Sequence, residues 1–200
     1  MPVDYAHLKN SYFAMRHGQS MANVAGKIVS DPAIGESDYG LSDYGRHQVL
    51  ESAEDFAKSL PGCSKIRIIS SDFLRARETA DLLAESLGSE VEVQFVTELR
   101  ERYFGEFDGQ SDRNYQRVWE LDKDNPEHQV FGVESVNSVW GRVERLITSL
   151  EQQNRGEQFV LVAHGDVLQI AQTLFLGVAA EQHRKLPHLD VAEIRHLQAS

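Results

Sequence analysis

Apolar and polar positions follow two rhythms along the chain. Short apolar runs at 11–15 (SYFAM), 66–69 (within KIRIIS) and 158–163 (QFVLVA) predict strands. The run at 158–163 is nearly continuous, as in a strand buried on both faces. EVEVQFV at 90–96 alternates apolar and polar residues and predicts another strand, and 191–197 predicts a last one. Between these segments the period lengthens to that of a helix. Val49, Leu50, Ala53, Phe56, Ala57 and Leu60 predict a helix capped by Ser42 or Asp43 and stopped by Pro61-Gly62. Leu74, Ala76, Ala80, Leu83 and Leu87 predict a second, capped from the Ser70-Ser71-Asp72 cluster and ended at Gly88. Val136, Val139, Trp140, Val143, Leu146, Ile147 and Leu150 predict a third within 135–152. Val167, Leu168, Ile170, Ala171, Leu174 and Phe175 predict a fourth. Residues 19–40 and 97–111 read as loop. Residues 112–134, where Trp119, Pro126 and Phe131 are scattered among charges, read as an irregular or helical insertion.

Strands that alternate with helices predict an α/β fold. We expect a three-layer sandwich with a mostly parallel central sheet flanked by helices, a small insertion around 97–134, and one domain over 1–200. A chain of 200 residues buries roughly 70% of its unfolded surface, so its core suffices without disulfides or a structural metal. The single Cys63 has no intramolecular partner, which fits a reducing compartment and a cytoplasmic location. MPVDYAHLKN lacks the basic and apolar regions of a signal peptide. No apolar run reaches the ~18 residues a membrane span needs, so no membrane partner is expected. Twenty Lys+Arg against 31 Asp+Glu give a net charge of −11, which argues against general nucleic-acid binding. An anionic ligand then needs a local cluster of cations that overcomes the overall field.

Such a cluster stands where parallel sheets bind ligands, beyond the carboxyl ends of the strands. Arg16-His17-Gly18 ends the first strand, Ser70-Ser71-Asp72 with Arg75 the second, and His164-Gly165-Asp166 the run at 158–163. Taken singly, each histidine reads as a hydrogen-bonded structural residue and Arg75 as a capping charge. Together on one rim they imply an anion, because clustered like charges are otherwise unfavourable. Guanidinium forks match phosphate oxygens, and a neutral imidazole can act as a nucleophile near neutral pH. Competing signatures fail. Ile69, not Arg, stands six residues after Cys63, and Gly26-Lys27 is followed by Ile28 rather than Ser or Thr. His7, His47, His128, His183, His188 and His196 are scattered, read as surface or structural, and form no metal set; no metal and no cofactor is expected.

These segments resemble the histidine phosphatase superfamily, the phosphoglycerate-mutase-like proteins, over roughly 11–197. Arg16-His17-Gly18-Gln19-Ser20 with Asn23 is similar to the nucleophile motif. Ser70 through Ala80 (SSDFLRARETA) is similar to the second arginine motif, Leu99 through Gly109 (LRERYFGEFDG) to the acid motif, and Val162-Ala163-His164-Gly165 to the second-histidine motif. Gly132-Val133-Glu134-Ser135 is similar to the segment before a long helix. The resemblance implies a phosphomonoesterase of the histidine acid phosphatase type. It implies His17 as the nucleophile, Arg16, Arg75 and His164 as phosphoryl contacts, Glu101 as the proton donor, and Asn23 as a further phosphate contact. Gln19 and Ser20 are implied to border the substrate, a small phosphorylated molecule. Arginine together with protonated His164 would supply the positive charge without a metal.

Some alternatives stay open at this level. Glu101 can instead pair with Arg100 or Arg102, and Glu106 and Asp108 compete as acids. A mutase would need further cations, which Arg113, Arg117 and Lys123 could provide. A catalytically idle phospholigand-binding member is a third reading. Tyr103, Phe104, Phe107 and Tyr115 could shape a pocket, whereas Trp119 and Phe131 read as core. Asp72 and Glu78 depart from the usual Pro and Gln and are expected to alter the charge at the pocket mouth.

Overall fold

The computed structural model describes residues 3–60, 65–88 and 90–197. Pro61-Gly62, expected to stop a helix, and Cys63 lie outside the described residues. Five strands form one sheet: β1 (Ser11–Arg16), β2 (Ile66–Ser71), β3 (Glu92–Val96), β4 (Gln158–Ala163) and β5 (Ile194–Leu197), in the order β3-β2-β4-β1-β5. β4 pairs in parallel with both β1 and β2, and β3 runs parallel to β2. Only β5 is antiparallel, against β1. The fold is therefore the expected α/β sandwich with a mostly parallel sheet.

The helices α3 (Asp43–Ser59), α4 (Leu74–Leu87), α6 (Val136–Gln153) and α7 (Gly165–Leu176) cover its two faces, and α1 (Met21–Ala25), α2 (Pro32–Gly35) and α5 (Tyr115–Asp122) are shorter. Alternation along each strand divides the core. Tyr12, Ala14, Phe159, Leu161 and Ala163 pack with Val139, Val143 and Ile147 of α6 and Leu168 and Ala171 of α7. Met15, Ile68, Val160 and Val162 pack with Val49, Ala53 and Phe56 of α3 and Ala76, Ala80 and Leu83 of α4. A third cluster of Ile28, Phe104, Phe107, Val118 and Val133 anchors the insertion.

Several boundaries differ from expectation for physical reasons. The 19–40 segment holds α1 and α2, five and four residues long, too short for a periodic signal. Their caps were the available clue: Ser20 accepts from the Asn23 N–H, and Asp31 precedes Pro32. α4 does not use the Ser70-Ser71-Asp72 cluster as a cap; its N-cap is Phe73, with no side-chain hydrogen bond. Leu50, expected in the core, is 41% exposed. The insertion is partly helical through α5, and the last strand is confined to 194–197.

Candidate active site

Strand order brings the site together. β4 lies between β1 and β2, with Arg16 opposite Ala163 and Ser70 opposite Val162, so their carboxyl ends stand side by side. Close backbone approach holds the turn after β1. A Cβ on Gly18 would lie 2.6 Å from the Gly45 carbonyl oxygen and 2.8 Å from a Val49 methyl, so only glycine lets this turn rest on α3. At the opposite wall, a Cβ on Gly165 would lie 2.6 Å from His188 and 3.3 Å from the Arg16 guanidinium carbon.

The resulting cavity has a volume of about 240 Å³. On its floor, His17 Nδ1 lies 2.8 Å from the Gly18 carbonyl oxygen, which can only accept. The proton therefore sits on Nδ1, and Nε2 keeps its lone pair. Arg75 Nε donates to that nitrogen at 3.1 Å. Burial, then the charges of Arg75 and Arg16, hold the His17 imidazole well below its ordinary range, so the ring is neutral. Arg75 Nη2 donates to the Val29 carbonyl at 3.0 Å, while Nη1 has no partner among the described residues. Arg16 Nη1 donates to the Leu189 carbonyl at 2.9 Å, and its Nε is likewise buried and unpartnered.

Glu101 stands beside this pair of guanidiniums. One oxygen accepts from the Arg102 backbone N–H at 3.0 Å; the other is 3.8 Å from Arg75 and 3.9 Å from His164. Burial pushes the Glu101 carboxyl up to about 7, with Asp166 adding to the rise and Arg75 opposing it. Neither neighbouring arginine takes it: Arg100 pairs with Asp72 and Glu36, and the Arg102 side chain pairs with Asp122 and Asp166. The competing acids lie elsewhere. Asp108 accepts from Ser30 and Asp31 backbone amides, and Glu106 is exposed.

His164 departs from the expected picture. It is fully buried, does not line the cavity, and sits behind His17 with ring centroids 5.2 Å apart. Its Nε2 shares a hydrogen bond of 2.9 Å with the Ser71 hydroxyl, and its Nδ1 has no hydrogen-bond partner among the described residues. Burial and then Arg75 and His17 hold it well below the ordinary imidazole range, so the positive charge expected on it is absent here.

Ser20 and Asn23 line the cavity, but the Asn23 carbonyl is engaged by the Ser20 N–H and hydroxyl at 2.9 and 3.0 Å. Gln19, expected to border the substrate, does not line it; its side-chain oxygen accepts from Ser42 at 2.8 Å. Asp72 and Glu78 are held by Arg100 and Arg46 and are also absent from the lining. Sequence reasoning missed Lys27, Asp112, Asp166 and His188, and it assigned Trp119 to the core; all five line the cavity. Asp166 was detectable as the residue after His164-Gly165. The i, i+4 spacing of Tyr115 and Trp119 was a second signal, since it sets them on one helix face. Nothing local marks His188.

Behind the wall lies a buried ionic cluster. Both Arg102 Nη atoms donate to Asp122 at 2.8 Å, and Arg102 Nε donates to the Glu134 carbonyl at 2.7 Å. His128 meets Asp122 at 2.8 Å, and Arg184 reaches Asp166 at 2.5 Å and Asp122 at 3.4 Å. Asp166 is buried, yet Arg184 and Arg102 bring its carboxyl down to about 2. Among the described residues no group of His, Cys, Asp and Glu could hold a metal ion, and no helix is long and apolar enough to cross a membrane.

The sequence pattern of the histidine phosphatase superfamily (branch 1) matches residues 12–200. Phosphoglycerate mutase-like protein 4 of Arabidopsis thaliana is 32% identical over 179 residues, 83% of this chain and 69% of that protein. Glucosyl-3-phosphoglycerate phosphatase of Mycolicibacterium vanbaalenii is 29% identical over 181 residues, 84% of this chain and 74% of that one. A solved mycobacterial glucosyl-3-phosphoglycerate phosphatase, in complex with VO3, superposes with a TM-score of 0.74 at 25% identity, covering 93% of this chain and 91% of that one.

Proposed function

The chain belongs to the histidine phosphatase superfamily, and on that premise we propose that it hydrolyses phosphoric monoesters through a phosphohistidine formed on His17. The observation that carries this reading is the unprotonated His17 Nε2, faced by the Arg75 guanidinium on the floor of a cavity that Arg16 and Glu101 also line. The relative and the solved neighbour named as glucosyl-3-phosphoglycerate phosphatases support hydrolysis of a small phosphorylated sugar or a similar ester.

The ester's phosphoryl group occupies the space before His17, taking up the free Arg75 and Arg16 donors. Nε2 attacks phosphorus in line; the P–N bond forms as the bond to the leaving oxygen breaks. Fixed guanidiniums stabilise the charge spread over the equatorial oxygens. Glu101, whose pKa of about 7 leaves a protonated fraction at neutral pH, gives its proton to the departing alkoxide. Water then attacks phosphorus and loses a proton to Glu101. The P–N bond breaks, releasing inorganic phosphate and restoring the imidazole lone pair. The two arginines supply the positive charge this sequence of steps needs, so it proceeds without a metal and hydrolysis withstands a chelator. His164 supports Ser71 and the back of the cradle, and a bound dianion would raise its proton affinity.

Hydrolysis is favoured over mutase chemistry because, among the described residues, Lys27 is the single lysine or arginine lining the cavity besides Arg16 and Arg75. Arg113, Arg117 and Lys123 do not line the cavity, and Arg117 lies over the rings of Phe107 and Phe131 at 4.9 and 5.1 Å. An idle binding role is disfavoured because the nucleophile, both arginines and a carboxyl acid are all present. After a substrate quench, the protein is expected to carry acid-labile, alkali-stable phosphate that His17→Ala abolishes. Label retained in that variant would overturn the assignment.

A further inference from the structure

The insertion contributes a group that the steps above do not use. Tyr115 opens α5 and lines the cavity with His17, Arg16, Arg75 and Glu101. Its ring is held from two sides. Phe104 meets it edge-on at 4.7 Å, and Trp119 stacks on it at 5.3 Å with the planes 6° apart. Beyond Trp119, the Arg184 guanidinium lies 4.3 Å from the indole centroid and is itself tied to Asp166 and Asp122. The ring is thus clamped between the insertion core and the buried ionic cluster.

Its hydroxyl makes no hydrogen bond among the described residues, although its ring is packed against Phe104 and Trp119. Burial, then Glu101, pushes the phenol well above its ordinary range, while Arg75 and Arg16 oppose the rise; the hydroxyl lies within the field of the cavity's own charges. A phenol so disposed stays protonated and can only be a donor to an anion. Edges of aromatic rings held this tightly lose little freedom when they bind, which favours a donor fixed in advance.

We infer that the Tyr115 hydroxyl donates a hydrogen bond to a non-bridging oxygen of the bound phosphoryl group. This rests on the phosphomonoesterase reading, and it adds a neutral donor, supplied by the insertion, to the two cations supplied by the sheet. A hydrogen bond to a charged acceptor of this kind is worth roughly a 10- to 100-fold change in binding or rate.

The test is Tyr115→Phe, which keeps the stack and removes only the oxygen. The expected result is a loss in kcat/KM of roughly 10- to 100-fold, equal for an alkyl phosphate and for an aryl phosphate with a very good leaving group. Calorimetric binding of inorganic phosphate should weaken by a similar factor, with the melting temperature and the pH profile unmoved. Trp119→Leu, which loosens the clamp but keeps the hydroxyl, should produce a smaller loss in both measurements. Unchanged phosphate affinity in Tyr115→Phe overturns the inference. A loss confined to the alkyl ester, or a shifted pH profile, also overturns it, because either makes Tyr115 a partner of Glu101 instead. If the unaltered protein hydrolyses no monoester, the broader reading fails, and the phosphate-binding comparison still decides whether Tyr115 holds the anion.

Discussion

Two arginines are buried within this small molecule, Arg102 and Arg75, each with a half-buried arginine beside it, Arg184 and Arg16, and the two pairs are treated in opposite ways. In the ionic cluster, all three Arg102 side-chain nitrogens have acceptors, and two carboxylates, Asp122 and Asp166, face two arginines. In the cavity, Arg75 is 3% exposed, yet its nearest carboxylate oxygen is 3.8 Å away, on a Glu101 that is itself half-protonated near pH 7. Among the described residues Arg75 and Arg16 each keep one buried nitrogen without a partner, as Arg184 does in the cluster, but only in the cavity is no carboxylate within hydrogen-bond distance of the guanidinium. Buried charge is costly unless paired. The cluster satisfies that rule by setting a carboxylate against each of its arginines, and so fixes structure. The cavity breaks it, and in the proposed reaction the missing negative charge is the one a phosphoryl group brings.

Breaking each pair should therefore have opposite consequences. Arg102→Met leaves Asp122 buried with too little compensation, and we expect a loss of about 3–5 kcal/mol in denaturant-induced unfolding. The next largest effect is on rate. Arg75→Met should reduce kcat/KM on the order of 10²–10³-fold, while stability stays within about 1 kcal/mol or rises. A large drop in stability there would erase the contrast between the two regions.

Glu101→Gln sharpens the comparison through pH. The native Glu101 holds its proton up to about 7, whereas the unfolded chain loses it near the ordinary value of 4.5. Its contribution favours the native state below pH 4.5 and is lost as pH rises to about 7. His17 and His164 are held low, so their contribution runs the other way, present above their ordinary 6.5 and lost as pH falls. Removing the Glu101 carboxyl should leave the histidine slope alone, giving a variant whose stability rises more steeply toward neutral pH than that of the unaltered protein. In activity, kcat/KM should fall above about pH 7, and the variant should lose far more on an alkyl ester than on an ester with a very good leaving group. Equal losses on both esters would remove Glu101 from the acid role.

The parts of this arrangement that were legible in the sequence are those written in short local strings at strand ends. His17 and His164 directly follow β1 and β4, Arg75 stands in the first turn of the helix after β2, and parallel pairing brings the three strand ends side by side. Glu101 was readable from its motif, but its freedom from Arg100 and Arg102 depends on Asp72, Glu36 and Asp122, which only folding brings near. Gln19 turned away because Ser42, 23 residues on, claims its side chain. Tyr115, Trp119 and His188 were the hardest to place, since their positions depend on how the insertion packs against the segment after α7. The lowered proton affinity of His164 was not legible for a different reason: it follows from burial and from neighbouring cations, neither of which a motif encodes.

One peptide bond joins Glu101, the group proposed to move a proton, to Arg102, a fully buried side chain whose three nitrogens all have acceptors. Loops around the leaving-group side can therefore be remodelled for a different alcohol only while the grip on Asp122 survives. A redesign that swaps out α5 would take away Asp122 together with Tyr115, and with them the fixed point from which the acid is aimed.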